Sequence, residues 1–488
     1  MPSLEDIAQH ASRSSCWIII SGIAYDVTAF LDHHPGGANI ILRHAGRDAT
    51  EDYELIHAPE TIDSCPSQVK RIGLVTGVAS GTGTLAPEPA SDPTLIVRPL
   101  PSPGVVLPLY ACKSLDDLAL AGRAVLAPKA AVYFNSGAET LFALNRNRSD
   151  WARIGFRPRV LRNVATASMK CRIMGAESSM PVFIAPAAAV RLGHKDGELC
   201  LATGAARMNI PQCVCTYSSV SPADVMEYFQ SVPERRGGAL FFQLYMPKIK
   251  KDVEKLIAKA RMSGFKALVV TVDSPVIGKR DDDDRFKALL DIKAGIKEEC
   301  PGAQLPLPGD EAETLRGVHC STLEWGDLPW IRKCWGDDPI ILKGIQTVED
   351  ALEATRHDVD GIYLSNHGGR QLDYAPSPVQ VLLEIRQNCP EIFHKIEVYV
   401  DGGVMRGTDI VKALCLGARA VGIGRGFLYA LSAYGAEGVL KAIQILSDEI
   451  QTTMRLLGVT NLSQLNSEYI DLCNFEHDCN KRSGWPKI

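Results

Sequence analysis

Between Pro181 and Gly426 the chain alternates two kinds of segment. Short, almost unbroken apolar runs rich in Val, Ile and Phe occupy 181–187, 212–219, 239–245, 267–274, 339–345, 361–369, 397–403 and 420–426. Most are followed by stretches of helix length, such as 252–265 and 407–418, whose apolar residues recur three and four apart. A run without alternation belongs to a strand buried on both faces, and such strands interleaved with helices form a parallel sheet. Eight of them close a (β/α)8 barrel, so the expected fold class is α/β with a TIM barrel. A doubly wound dinucleotide fold instead needs GxGxxG after its first strand. Here the first run ends IAPAAAV, and the glycine-dense GIGRG comes only at the eighth.

The rhythm breaks at three places. Residues 78–108 hold seven prolines, from Pro87 to Pro108, and read as a semi-extended linker. It separates a small α+β unit, 1–77, from the barrel, 109–470, which ends in a short tail, 471–488. The connection between the fourth and fifth runs is far longer than the rest. Its surplus, 279–322, contains the acidic run Asp281–Asp284 and is expected to be a structureless insertion, either solvated or a lid.

Charge and composition narrow the function. With 52 basic against 57 acidic residues the net charge is −5, so no basic excess exists for a nucleic-acid partner. No run reaches the ~18 apolar residues of a membrane span. Glu5 and Asp6 precede any apolar run, unlike a signal or transit peptide. The chain as written is expected to be cytoplasmic; removal of a presequence would permit the mitochondrial intermembrane space. The 14 cysteines include no CxxC and read as reduced thiols. Cys473, His477 and Cys479 come nearest to a metal set but lack a second pair, and read as tail.

In the small unit, His34 and His57 sit on separate loops. Two imidazoles can close both axial positions of a haem iron, a state suited to electron transfer; they can equally be surface or capping groups, like His33 and His44. The surrounding residues decide. Asp26, Thr28, Phe30 and the HPGG of His34–Gly37 resemble the cytochrome b5 family over about 3–77. The resemblance implies haem b held by His34 and His57 without covalent attachment, as no CxxCH occurs.

In a barrel of this kind the chemistry sits at the C-terminal strand ends. Those ends carry Tyr245, Asp273, Lys343, His367 with Arg370, Asp401 with its glycines, and Arg425. Each alone has a structural explanation, as loop residue, cap or ion partner, but five successive charged or imidazole-bearing ends make a site. His367 can act as general base, with Asp273 orienting its ring. Arg370 offers a fork for a carboxylate and Arg280 a second cation. Lys343 places positive charge beside a cofactor ring that becomes negative on reduction. Gly402, Gly403, Gly424 and Arg425 lie where such barrels bind phosphate.

The segments YFNSGAE (133–139), FFQLY (241–245), TVDSPxxGxR (271–280), SNHGGRQLD (365–373) and DGGxxRGTD (401–409) resemble the FMN-dependent 2-hydroxy-acid oxidising family. That resemblance implies His367 and Asp273 as the proton-accepting pair. It places Arg370 and Tyr133 on the substrate carboxylate, Tyr245 on the hydroxyl, and Arg280 in charge stabilisation. FMN would lie against Ala185, Pro186 and Ala187, contacted by Gln243, Thr271, Lys343 and Ser365, with Asp401 nearby. Fused to a haem unit, such a barrel implies oxidation of an L-2-hydroxy acid, foremost L-lactate, to the 2-oxo acid. Electrons would pass to cytochrome c, from a homotetramer. An oxidase, a mandelate-type dehydrogenase and a haem carrier with an inactive barrel are the alternatives. Three departures stand out. Met405 replaces the first Arg of the family's RRG, which predicts weaker FMN retention. Tyr217 fills a position that differs among relatives. Cys215 and Ala187 stand where hydroxyls are common.

Overall fold

The computed structural model describes residues 2–34, 37–58, 61–62, 68–76, 106–296 and 316–476. All eight apolar runs contain a strand of one closed parallel barrel. In order these are Val182–Ile184, Gln212–Cys215, Leu240–Leu244, Leu268–Thr271, Ile340–Ile345, Gly361–Leu364, Glu397–Val400 and Ala420–Ile423. The eighth closes onto the first through Val421 and Val182.

The unbroken hydrophobicity has a simple cause: the two faces of each strand feed different cores. Phe183, Cys213, Phe241, Val269, Ile341, Tyr363 and Tyr399 point inward and pack together in the barrel interior. Their neighbours Val182, Val214, Phe242, Val270, Leu342 and Val400 belong to the larger core shared with the outer helices. Every residue of the first six strands is buried. Ile173 and Met174 complete the interior layer. They come from a hairpin, Cys171–Ile173 with Ala176–Ser178, tied in by a bond from the Met174 amide to the Tyr399 hydroxyl (2.8 Å).

The N-terminal unit builds its own sheet from Ala11–Ser12, Ser15–Ile20, Ile23–Asp26, Arg47–Asp48 and Lys70–Leu74. Its core is separate, around Cys16, Ile18, Ile20, Tyr25, Val27, Leu31 and Ile41. It meets the barrel unit through polar contacts. Lys129 Nζ lies 2.6 Å from Asp52, Arg43 lies 2.5 Å from Asp291, and Arg191 donates to the Glu54 carbonyl at 3.3 Å.

The insertion corrects one expectation. Asp281–Asp284 is not part of a structureless loop but the first turn of a helix, Asp281–Lys293. Four acidic side chains at a helix N-terminus complement its dipole, so a run that reads as solvated charge starts a helix. Residues 297–315 of the insertion, the linker up to 105, and His477 and Cys479 of the tail lie outside the described residues. Among the described residues no helix is long and apolar enough to cross a membrane.

Candidate active site

The sixth strand ends in Ser365-Asn366-His367-Gly368-Gly369, and this turn sets the site. His367 has φ +59°, a left-handed conformation rare outside glycine and tolerated where surroundings over-determine it. The surroundings include Asn366 and Asn147, fully buried, whose side-chain amides bond each other reciprocally at 2.8 Å. Ser365 Oγ accepts the His367 amide at 3.1 Å.

Held this way, the imidazole bridges two other strand ends. His367 Nδ1 lies 3.0 Å from Asp273 Oδ1, and Nε2 lies 2.9 Å from the Tyr245 hydroxyl. Asp273 also accepts from Ser274 Oγ at 2.9 Å. Its carbonyl accepts from the Gln371 amide at 2.7 Å. Gly344 makes the close approach possible: it has φ +111°, and a Cβ there would sit 2.6 Å from Asp273 Cβ. The fifth strand shifts register at the same place, between Lys343 and Ile345.

Electrostatics follow from this packing. Burial opposes the Asp273 carboxylate, but His367, Lys343 and the bonds from His367 and Ser274 outweigh it and hold its pKa at about 2. The group is therefore an anion at all working pH. Burial lowers the His367 pKa below its ordinary 6.5, with Asp273 acting in the opposite direction. A neutral imidazole with Nδ1–H on an anion presents a lone pair at Nε2, the arrangement of a general base.

Beside this trio stand two guanidinium groups. Arg370 lies 4.9 Å over the Tyr133 ring and Arg280 6.0 Å from it. Arg370 donates to Tyr133 O (2.7 Å) and to Ser136 Oγ (2.9 Å). Burial, then the neighbouring Arg280, pulls its pKa down to about 10. Two cations crowded around one ring, with Asp283 4.0 Å from Arg280, favour an anionic guest.

Deeper in the barrel mouth, Gln243, Thr271, Lys343, Ser365 and Asp401 are all buried. Gln243 Nε2 donates to Thr271 Oγ1 (2.8 Å), Lys343 Nζ to Ser365 Oγ (3.2 Å), and Ser365 Oγ to Asp401 (3.1 Å). Amide, hydroxyl and ammonium groups at one level suit the alternating carbonyls and N–H groups of a flavin edge, so the donor set fits FMN. Ala185 lies beside them, bonding the Ile423 carbonyl through its amide at 3.0 Å. Gly402 and Gly403 follow the seventh strand and Gly424 the eighth. Arg425 spends three N–H groups on the carbonyls of Phe134, Gly368 and Ser136, leaving two. Arg406 is turned away, paired with Glu449 at 2.6 Å.

In the N-terminal unit the rings of His34 and His57 are 6.1 Å apart between centroids. Two axial imidazoles on one iron need about 6.2 Å, from roughly 2 Å metal–nitrogen bonds and the ring radius on each side. His34 Nδ1 lies 3.1 Å from the Gly37 carbonyl, which leaves Nε2 for the iron. Burial lowers the His34 pKa; burial and the nearby His34 bring His57 to about 4. Both imidazoles are thus neutral, as ligation requires, and the pair fits a haem.

One group, His319, escapes sequence reasoning. His319, at the far end of the insertion, stacks on Tyr245 (4.5 Å, planes at 2°) and bonds the Ser274 carbonyl through Nδ1 (3.1 Å). Tyr217 stacks on the other members, 5.3 Å from Tyr245 and 5.8 Å from His319. A single histidine after an insertion carries no pattern. Among the described residues, His194, Asp196 and Cys200 have metal-ligand spacing; His477 and Cys479 of the tail lie outside the described residues.

Comparison with known proteins bears on the same residues. Residues 122–472 match the FMN-dependent dehydrogenase family, and residues 3–76 match the cytochrome b5-like haem/steroid binding domain. The chain belongs to the FMN-dependent dehydrogenases. It carries a cytochrome b5-like domain in front, and so is an oxidoreductase using both FMN and haem. It is 37% identical to L-lactate dehydrogenase (cytochrome) of Wickerhamomyces anomalus, over 96% of this chain and 79% of that protein. It is 38% identical to glycolate oxidase 1 of Oryza sativa over 69% of this chain and 90% of that one. Among solved structures, a flavocytochrome b2 variant with pyruvate bound is 34% identical, with TM-score 0.68, covering 78% of this chain and 91% of that one.

Proposed function

We propose that this chain oxidises L-lactate to pyruvate and passes the electrons through its own haem unit to a soluble cytochrome c. The observation that carries the reading is the Tyr245–His367–Asp273 chain set against the Arg370–Arg280 pair, on a barrel fused to a bis-imidazole unit. The substrate carboxylate lies between Arg370 and Arg280 beside Tyr133. Tyr245 holds the substrate hydroxyl oxygen, and His367 Nε2 accepts a proton as the alcohol becomes a ketone. Asp273 stabilises the imidazolium that results, which costs little because the carboxylate is already ionised and paired. When bound, FMN takes up the two electrons released and haem b relays them singly. FMN would be held by Ala185, Pro186, Ala187, Gln243, Thr271, Lys343, Ser365 and Asp401, and its phosphate by Gly402, Gly403, Gly424 and the two remaining N–H groups of Arg425.

We divide the chain functionally at 1–77, 78–108, 109–470 and 471–488. The family resemblance supports a homotetrameric assembly. A panel of L-lactate, glycolate and L-mandelate, each followed by cytochrome c reduction and peroxide formation, tests the reading. It predicts the highest kcat/KM with L-lactate and little peroxide; dominant peroxide, or preference for mandelate, overturns it.

A further inference from the structure

The loop after the first barrel strand carries a cluster that the flavin chemistry does not use. From Ala185 the chain runs through Arg191 to Gly197, and the helix Glu198–Met208 follows. His194, Asp196 and Cys200 flank this junction, and their ligand atoms all lie within 4.8 Å of one another. His194 Nδ1 is 3.5 Å from Cys200 Sγ and 3.7 Å from Asp196 Oδ2. A tetrahedral ion with bonds of about 2.0 Å to N and O and about 2.3 Å to S requires ligand spacings of roughly 3.3–3.5 Å. The nitrogen–sulfur spacing is already in place, and the half-exposed Asp196 carboxylate completes the set by turning toward it.

The ring is held for this. The Asp196 amide donates to His194 Nδ1 at 3.2 Å, so Nδ1 carries a lone pair and Nε2 the proton. The Cys200 thiol, buried at the base, shares that lone pair. On the far side, Gly435 interrupts the helix Arg425–Leu456 with φ +58°. A Cβ there would sit 3.1 Å from His194 Nε2, so the glycine leaves the imidazole its place.

We propose that His194, Asp196 and Cys200 form a binding site for one borderline-soft divalent cation of the zinc class, with water completing a four-coordinate shell. On binding, the Cys200 S–H bond breaks, its proton leaves to solvent and a sulfur–metal bond forms; nothing is oxidised or reduced. Thiolate and carboxylate together balance the two positive charges. Asp196 is exposed, so water can take up its released amide. The site stands independently of the lactate reading. Its loop connects the flavin-side Ala185 with Arg191, which reaches the haem unit at Glu54.

Equilibrium dialysis of the FMN- and haem-loaded protein against Zn2+ tests this, with His194→Gln and Cys200→Ser compared to the parent. The parent is expected to retain one more equivalent of zinc than either variant, the variants keeping the parent's haem and flavin spectra. X-ray absorption at the zinc edge of the parent is expected to show one sulfur at about 2.3 Å. Equal zinc in parent and variants, or a shell of nitrogen and oxygen alone, overturns the site. If the variants lose their cofactors, the zinc-edge spectrum of the parent decides alone.

Discussion

Lys129 and Tyr133 stand one turn apart on the helix Pro128–Asn135, and each faces a different centre. Lys129 Nζ is 2.6 Å from Asp52 of the haem unit, while the Tyr133 ring lies 4.9 Å beneath the Arg370 guanidinium. A single short helix thus joins the haem unit to the substrate side of the barrel. Side chains four apart share one helix face, so the spacing dictates the link.

Lys129→Ala should weaken that link alone. The pair is half-exposed, and such pairs contribute about 0.2–1 kcal/mol, so haem reduction should slow about 1.4- to 5-fold while flavin reduction by L-lactate is unchanged. Raising the ionic strength should slow the parent in the same direction. Rapid-mixing absorbance at the flavin and haem bands separates the two steps; equal slowing of both contradicts the link.

In the proposed role of base His367 must be neutral, and burial lowers its pKa below 6.5. The kcat/KM profile is therefore flat at neutral pH and falls as pH drops through that pKa. The Asp273 charge raises the His367 pKa, so Asp273→Asn should move the fall to still lower pH while lowering the plateau by roughly 10²- to 10⁴-fold. A fall that moves upward in the variant contradicts the pairing.

Arg370→Lys retains charge but loses the planar fork and the bonds to Tyr133 O and Ser136. Losing a charged hydrogen bond costs about 1.5–3 kcal/mol, which is about 10- to 100-fold in kcat/KM for L-lactate. Competitive inhibition by small carboxylates should weaken in parallel, measured by steady-state kinetics.

His57→Ala removes one of the two imidazoles that would hold the haem. Haem absorbance and cytochrome c reduction should be lost, while turnover with an artificial flavin oxidant persists. Loss of both activities together would place His57 in folding rather than ligation.

Met405 stands where the resemblance of 401–409 to the family motif implies an arginine, and Arg406 is paired with Glu449. The parent should therefore lose FMN on extended dialysis faster than Met405→Arg. Stoichiometric FMN in the dialysed parent contradicts this.

The barrel was legible in the residues because strands covered on both faces leave no polar interruption, and Phe183 and Val182, adjacent in sequence, fill different cores. The site was legible where it stands at strand ends: Tyr245, Asp273 and His367 belong to three runs that end at one level. What sequence pattern misses is contact without period. His319 reaches Tyr245 across an insertion, and the carbonyls of Tyr133 and Ser136 that take up Arg370 leave no trace in residue type. Asp281–Asp284 misleads because four like charges read as solvated surface, whereas a helix N-terminus stabilises them. Cys200 lies in an apolar stretch that hides its neighbours His194 and Asp196.

The most direct measurement mixes the purified protein anaerobically with L-lactate and follows flavin and haem absorbance together. The account predicts bleaching of the flavin band followed by appearance of reduced haem, and then rapid reoxidation on adding cytochrome c. A haem that stays oxidised while the flavin bleaches would contradict it.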